Sequence, residues 1–149
     1  MDVVNIFSAE NAEGRIDASA ALGSSALAMY VYDLAPGQSS CPYHYEYEEE
    51  WLLVVDVASS CAPPTVSTRS RGDLARFAAG PTGAHKIMNR SDAAARTLVF
   101  SSARVPAVSV YPDSDKIGVF PGNEADELFV ERSSAVPWAH GEEGWNRAD

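Results

Sequence analysis

An all-β barrel or sandwich is the fold class this sequence predicts, on three observations. Short aromatic, apolar or β-branched runs recur at roughly ten-residue spacing. Turn-forming clusters separate them: Pro36-Gly37, Gly80-Pro81-Thr82-Gly83, Asn89-Arg90-Ser91-Asp92 and Pro112-Asp113-Ser114-Asp115. Helical patterning is confined to Ala18–Ala28, where Gly23-Ser24-Ser25 interrupts it.

The elements follow in order. Leu27–Leu34 is aromatic and β-branched enough for a strand, and Pro36-Gly37 stops it. Tyr43–Tyr47 alternates aromatic and ionisable side chains. Trp51–Val55 is a continuous apolar run, the pattern of a strand buried on both faces. Ala58–Arg71 is rich in Ser, Pro and Ala and shows no period. Asp73–Phe77, His85–Met88, Thr97–Ser101 and Val105–Val110 are further strand candidates. The tail from Leu128 contributes one strand-like piece, Leu128-Phe129-Val130, and then frays into glycine and charge.

With 149 residues the chain suits one domain, of which residues 27 to 110 form the barrel core and 111 to 149 a C-terminal extension. Hydrophobic residues at 46% and charged residues at 21% exclude wholesale disorder and a coiled coil. Eleven Lys and Arg against 21 Asp and Glu give a net charge of −10. Such a surface repels phosphate backbones and anionic headgroups, so neither nucleic acid nor membrane is an expected partner. The N-terminus lacks a basic region followed by an apolar one, and Cys41 and Cys61 read as free thiols; both predict a cytoplasmic protein. Trp138 and Trp145 in the tail, together with an open strand edge, predict a homodimer.

The chemistry is concentrated in Pro42-Tyr43-His44-Tyr45-Glu46-Tyr47-Glu48-Glu49-Glu50-Trp51. On a strand, His44 and Glu46 point to one face, about 6.6 Å apart along the chain, and can reach one metal ion. Glu50 joins them only if the chain bends at Tyr47-Glu48-Glu49, with Glu48 and Glu49 solvated at the tip. A second stretch ends a strand at Phe77, reverses through Pro81 and Gly83, and opens the next strand with His85.

These two stretches resemble the paired motifs of the cupin superfamily. The first family motif runs Gly-x5-His-x-His-x3,4-Glu-x6-Gly, and here reads Gly37-x6-His44-x-Glu46-x3-Glu50-x6-Val57. The second runs Gly-x5-Pro-x-Gly-x2-His-x3-Asn, and here reads Gly72-x8-Pro81-x-Gly83-x-His85-x3-Asn89. Residue order is kept from Pro81 to Asn89. The spacing departs on either side of Pro81-x-Gly83, Glu46 stands at the second ligand position, and Val57 replaces the closing glycine.

The resemblance implies a jelly-roll-like double-stranded β-helix barrel with short terminal extensions. It also implies a divalent metal held by His44, Glu46, Glu50 and His85. Two imidazoles and two carboxylates favour Mn²⁺ or Fe²⁺, with Zn²⁺ or Ni²⁺ as substitutes. The expected activity is that of a metal enzyme acting on a small oxygenated metabolite, of isomerase, decarboxylase or dioxygenase type, with Glu46 or Glu50 as catalytic base. The alternative is a non-enzymatic module that binds or senses a small ligand. Metal loss is expected as pH falls from about 6.5 to 5, because protons compete first for the imidazoles.

Other patterns have plainer readings. Gly80-x-x-Gly83 lacks the Lys-Ser/Thr of a phosphate loop and is a turn. His44-x-Glu46 matches half of the zinc-deaminase signature, but Cys61 is followed by Ala-Pro-Pro, so the other half is missing. Asp113-Ser114-Asp115 lacks the glycine and the closing glutamate of a calcium loop. Cys41 reads as a small half-buried residue, and Tyr43, Tyr45 and Trp51 as packing or pocket wall.

Residues 57–71 fall where the family has a hairpin. GC-rich codons can be chosen for them that, read in a shifted frame, spell Arg-Gly-Val-Val-Val-Arg-Thr-Pro-Asp-Gly-Glu-His-Ala-Leu-Ala-Arg-Gly, which is a strand, a Pro-Asp-Gly turn and a strand. Two compensating frameshifts are therefore expected. The codons of the gene decide it: the shifted frame either encodes this hairpin or does not.

Overall fold

The computed structural model describes residues 1–7, 14–57 and 70–144. Most of the hairpin expected over 57–71, and also Cys61 and Trp145, lie outside the described residues. The architecture is all-β and antiparallel, as the turn spacing predicts. In chain order the elements are β1 (Arg15–Asp17), α1 (Ala18–Ala21), β2 (Leu27–Leu34), β3 (Tyr45–Glu46), β4 (Glu50–Val57), β5 (Leu74–Phe77), β6 (Ala95–Ser102), β7 (Ala107–Tyr111), β8 (Lys116–Phe120) and β9 (Leu128–Glu131). One sheet runs β1-β2-β6-β4-β5 and the other β3-β7-β8-β9. A cavity lies between them, walled by Tyr30, Tyr32 and Val99 from the first sheet and Ser109, Tyr111 and Phe120 from the second. Among the described residues no helix is long and apolar enough to cross a membrane.

One local expectation holds and two are corrected. The helical pattern over Ala18–Ala28 yields only the single turn of α1. The Asp17 carboxylate caps its start, accepting from Ala20 N at 2.8 Å, and Gly23 follows it at φ 63°, where the chain turns away. The apolar run after Trp51 is not buried equally on both faces. In β4, Glu50, Leu52 and Val54 are buried, while Trp51, Leu53 and Val55 are half-covered. The alternation of a strand in a two-sheet fold decides this, since only one face meets the opposite sheet. The segment His85–Met88 is not a continuous strand either. It contributes isolated antiparallel bridges, His44 to His85 and Ser39 to Met88.

The core beneath the cavity is Leu34, Leu52, Ile87 and Val99, with Tyr32, Ala75 and Phe77 packed on it. Two residues of the second motif fix the chain around this core. A Cβ on Gly83 would sit 1.7 Å from the Ala78 carbonyl oxygen, so only glycine permits that approach. Asn89 is 5% exposed and fully used: Nδ2 donates to Leu34 O at 2.8 Å and Ala93 O at 2.7 Å, and Oδ1 accepts from Ser91 N and Oγ. It pins the return loop to the end of β2.

Asn89→Ala therefore removes the side-chain donor from the buried Leu34 carbonyl and one of the two donors from Ala93 O, which keeps Ser91 Oγ. The expected cost is about 1–3 kcal/mol, read from chemical denaturation as a lower midpoint with an unchanged slope.

Candidate metal centre

His44 precedes β3, and His85 follows the Pro81–Gly83 turn. Their backbones face each other across one bridge, with His44 N donating to His85 O at 3.0 Å and His85 N to His44 O at 2.8 Å. This pairing sets the rings side by side, with centroids 4.8 Å apart. Each ring is oriented through Nδ1, which lies 3.0 Å from Pro42 O in His44 and 2.9 Å from Gly83 O in His85. A backbone carbonyl can only accept, so Nδ1–H donates in both rings, and Nε2 is turned into the site. Phe77 stacks on His85 with planes 3° apart and holds the second ring flat.

Glu50 opens β4, and the chain bends at Tyr47 and Glu48 before it. Its Oε2 stands 3.4 Å from the Nε2 of both histidines. Donor atoms of His44, Glu50 and His85 all lie within 4.8 Å of one another, and all three residues are buried. Ligand bonds of about 2.0–2.2 Å give an ion room to touch such a set at once. The arrangement also leaves a gap that an ion would fill. Despite its 3.4 Å approach to Glu50, His85 Nε2 has no hydrogen-bond partner, an isolation that buried polar atoms rarely show. By donor type and by this orphaned nitrogen, the three residues fit a divalent ion.

Glu46 stands apart from the three. Its carboxylate accepts from Ser109 Oγ at 2.8 Å and lines the same cavity. Glu48 is corrected from solvated to half-buried: it accepts from Ser102 Oγ at 2.6 Å and faces Arg104 at 3.5 Å. The bend sends Glu48 inward and leaves Glu49 outside against Arg76. Cys41 is half-buried, with Sγ 3.5 Å from His44 Nδ1. Ser109, Phe77 and the cavity arginines Arg15 and Arg104 are absent from the motif reading. The one available sign was Ser109, a polar residue inside the alternating run Val105–Val110.

Charge is unevenly shared in the metal-free site. Burial presses the His44 pKa down, but the Cys41 thiol and the Glu50 carboxylate outweigh it and push it up to about 10. Burial and the neighbouring His44 hold His85 below the ordinary histidine value, against Gly83 O and Glu50. For Glu46, burial and repulsion from Glu50 raise the pKa against the Ser109 hydrogen bond.

The cavity above the three residues has a volume of about 770 Å³. Tyr30, Tyr32 and Val99 form one wall, Tyr111 and Phe120 the other, with Arg15 and Arg104 among its polar residues. Burial pushes the Tyr32 hydroxyl up to about 12, which keeps it a neutral donor.

Comparison with known proteins agrees with this geometry. No protein-family model and no curated protein matches the chain. Among solved structures, one from Silicibacter pomeroyi, described as a sugar phosphate isomerase from a cupin superfamily, superposes with a TM-score of 0.67 at 26% identity, over 86% of this chain and 83% of its own. One from Acidithiobacillus ferrooxidans, described as a sugar phosphate isomerase by putative assignment, superposes at 0.64 with 21% identity, over 83% of this chain and 78% of its own. Two antiparallel sheets enclose a buried His-Glu-His group that could hold a metal ion. With the paired motifs and the 26% identical neighbour, the fold is that of the cupin superfamily.

Removing the imidazole from the second motif is the direct test. His85→Ala should lower Mn²⁺ affinity in calorimetric titration by at least about 100-fold. A proton on His44 must leave before the ion binds, so the native affinity should fall about tenfold per unit as pH drops from 8 to 6. That window lies above the free-imidazole range, because His44 holds its proton up to about 10 in the metal-free site.

Proposed function

We propose that the chain is a metal-dependent enzyme, an isomerase acting on a small hydroxy-carbonyl metabolite. The observation that carries this reading is the convergence of two carbonyl-anchored imidazoles and Glu50 on one point of a cavity sized for a small molecule. The N₂O donor set favours Mn²⁺ or Fe²⁺ over thiolate-seeking ions. The 26% identical neighbour described as a sugar phosphate isomerase supports isomerisation within the wider range of cupin chemistries.

His44, Glu50 and His85 would hold the ion, and a divalent ion there supplies Lewis acidity to a substrate oxygen. The rest of the work falls to side chains of this chain. Glu46 lines the cavity with a carboxylate held at one oxygen by Ser109, and in this reading its other oxygen takes a proton from substrate carbon and returns it to the neighbouring one. Burial and the neighbouring Glu50 raise its pKa, which makes it a stronger base than an exposed glutamate. Tyr32, a hydroxyl donor at working pH, is available to a substrate oxygen, and Ile87 and Val99 keep that end of the cavity apolar.

Proton transfer to and from carbon has its own signature. Mn²⁺-loaded protein incubated with aldose and ketose substrates in deuterated water should incorporate deuterium at the carbon next to the carbonyl, and Glu46→Gln should slow that exchange by about 10²–10⁴-fold. Tight ligand binding without exchange or turnover would assign the cavity to binding or sensing instead.

A further inference from the structure

The second ligand position of the first motif is filled by Glu46, yet the Glu46 carboxylate is engaged elsewhere. β3 consists of Tyr45 and Glu46 alone, and its register against β7 sets Glu46 directly opposite Ser109. Ser109 is 2% exposed, and its hydroxyl donates to Glu46 Oε1 at 2.8 Å. The Glu46 backbone is held from the other side as well, since its carbonyl accepts from Gly80 N at 2.6 Å. One carboxylate oxygen and the main-chain carbonyl of Glu46 are therefore held, by β7 and by the Gly80 turn. Among the described residues the converging donor atoms come from His44, Glu50 and His85, without Glu46.

We infer that Ser109 sets the number of protein ligands at this centre: by holding Glu46 against β7 it leaves a site of two histidines and one carboxylate. This rests on the reading of the centre as a metal site. Ser109 is a positioning residue, acting through Glu46. Two consequences follow from the ligand count. An ion held by two His and one carboxylate keeps positions open for substrate oxygens, which a fourth protein ligand would take. The withheld carboxylate also stays free to act on the substrate. The hydroxyl is small and buried, and it faces a carboxylate across a strand pair, where cross-strand neighbours lie about 4.5–5.5 Å apart at Cβ. A residue without a hydrogen-bond donor at 109 would free Glu46 to turn toward the ion.

The experiment is a double-mutant cycle on Mn²⁺ affinity, measured by calorimetry on stripped full-length protein, with Glu50→Gln as the ligand control. Glu46→Gln keeps an oxygen for Ser109 and should change affinity by less than about threefold, against at least about tenfold loss for Glu50→Gln. Ser109→Ala releases Glu46, so its affinity should rise by more than about threefold, and the gain should vanish in the Ser109→Ala/Glu46→Gln double variant. A purely structural serine would not produce a gain that depends on Glu46. The inference is overturned if Glu46→Gln loses affinity as Glu50→Gln does, for Glu46 is then a ligand. It is overturned equally if Ser109→Ala binds Mn²⁺ no more tightly than the native chain. If Ser109→Ala does not fold, Glu46→Gln against Glu50→Gln still decides whether Glu46 is a ligand. Failure of the metal reading looks different: the native chain then binds neither Mn²⁺, Fe²⁺ nor Zn²⁺, and His85→Ala alters nothing.

Discussion

Two backbone hydrogen bonds between His44 and His85, one in each direction, bring the motifs together. The residues lie 41 positions apart in the chain and on separate loops. Closing so long a loop has an entropic cost, which the surrounding packing must offset. Once the pair forms, both imidazoles project from adjacent points and need only be rotated correctly. The carbonyls of Pro42 and Gly83 supply that rotation from two residues upstream of each ring. The same local device is thus used twice. It fixes the tautomer as well as the orientation, and a metal site needs both.

The second motif reads as a set of steric and polar demands around that bridge. Gly83 is glycine because the Ala78 carbonyl occupies the space a side chain would take. Gly80 adopts φ 81° at the head of the turn and donates to the Glu46 carbonyl, so the turn is docked onto the first motif. Asn89 closes the segment by satisfying backbone groups of two loops. None of these residues offers a donor atom to the centre, but each restricts where His85 can be.

The outline of the fold was legible from turn chemistry and strand-like runs, because Pro, Gly, Asn and Asp act locally. The convergence of His44, Glu50 and His85 was legible only through a resemblance to paired motifs, since periodicity carries no information about two loops that meet in space. The Glu46 hydrogen bond to Ser109 was not legible, because it depends on the register of β3 against β7, and a two-residue strand has almost no pattern of its own. The inward turn of Glu48 failed for a related reason. A run of three glutamates reads as a solvated tip until Ser102 and Arg104 are placed beside it. The apolar run after Trp51 misled because hydrophobicity alone does not say which face the second sheet covers.

Phe77 is the last residue of β5, the edge of the five-stranded sheet. It is paired in register with Glu50, and its ring lies on that of His85. One aromatic side chain therefore joins candidate ligands from both motifs to a strand whose outer rim carries no partner strand among the described residues. Such rims invite association with other chains whenever they peel away. At Phe77, peeling would also pull apart Glu50 and His85, so an ion bridging those two would act as a latch on the edge. Occupancy of the centre and resistance to aggregation or proteolytic nicking at β5 are then two readings of one equilibrium.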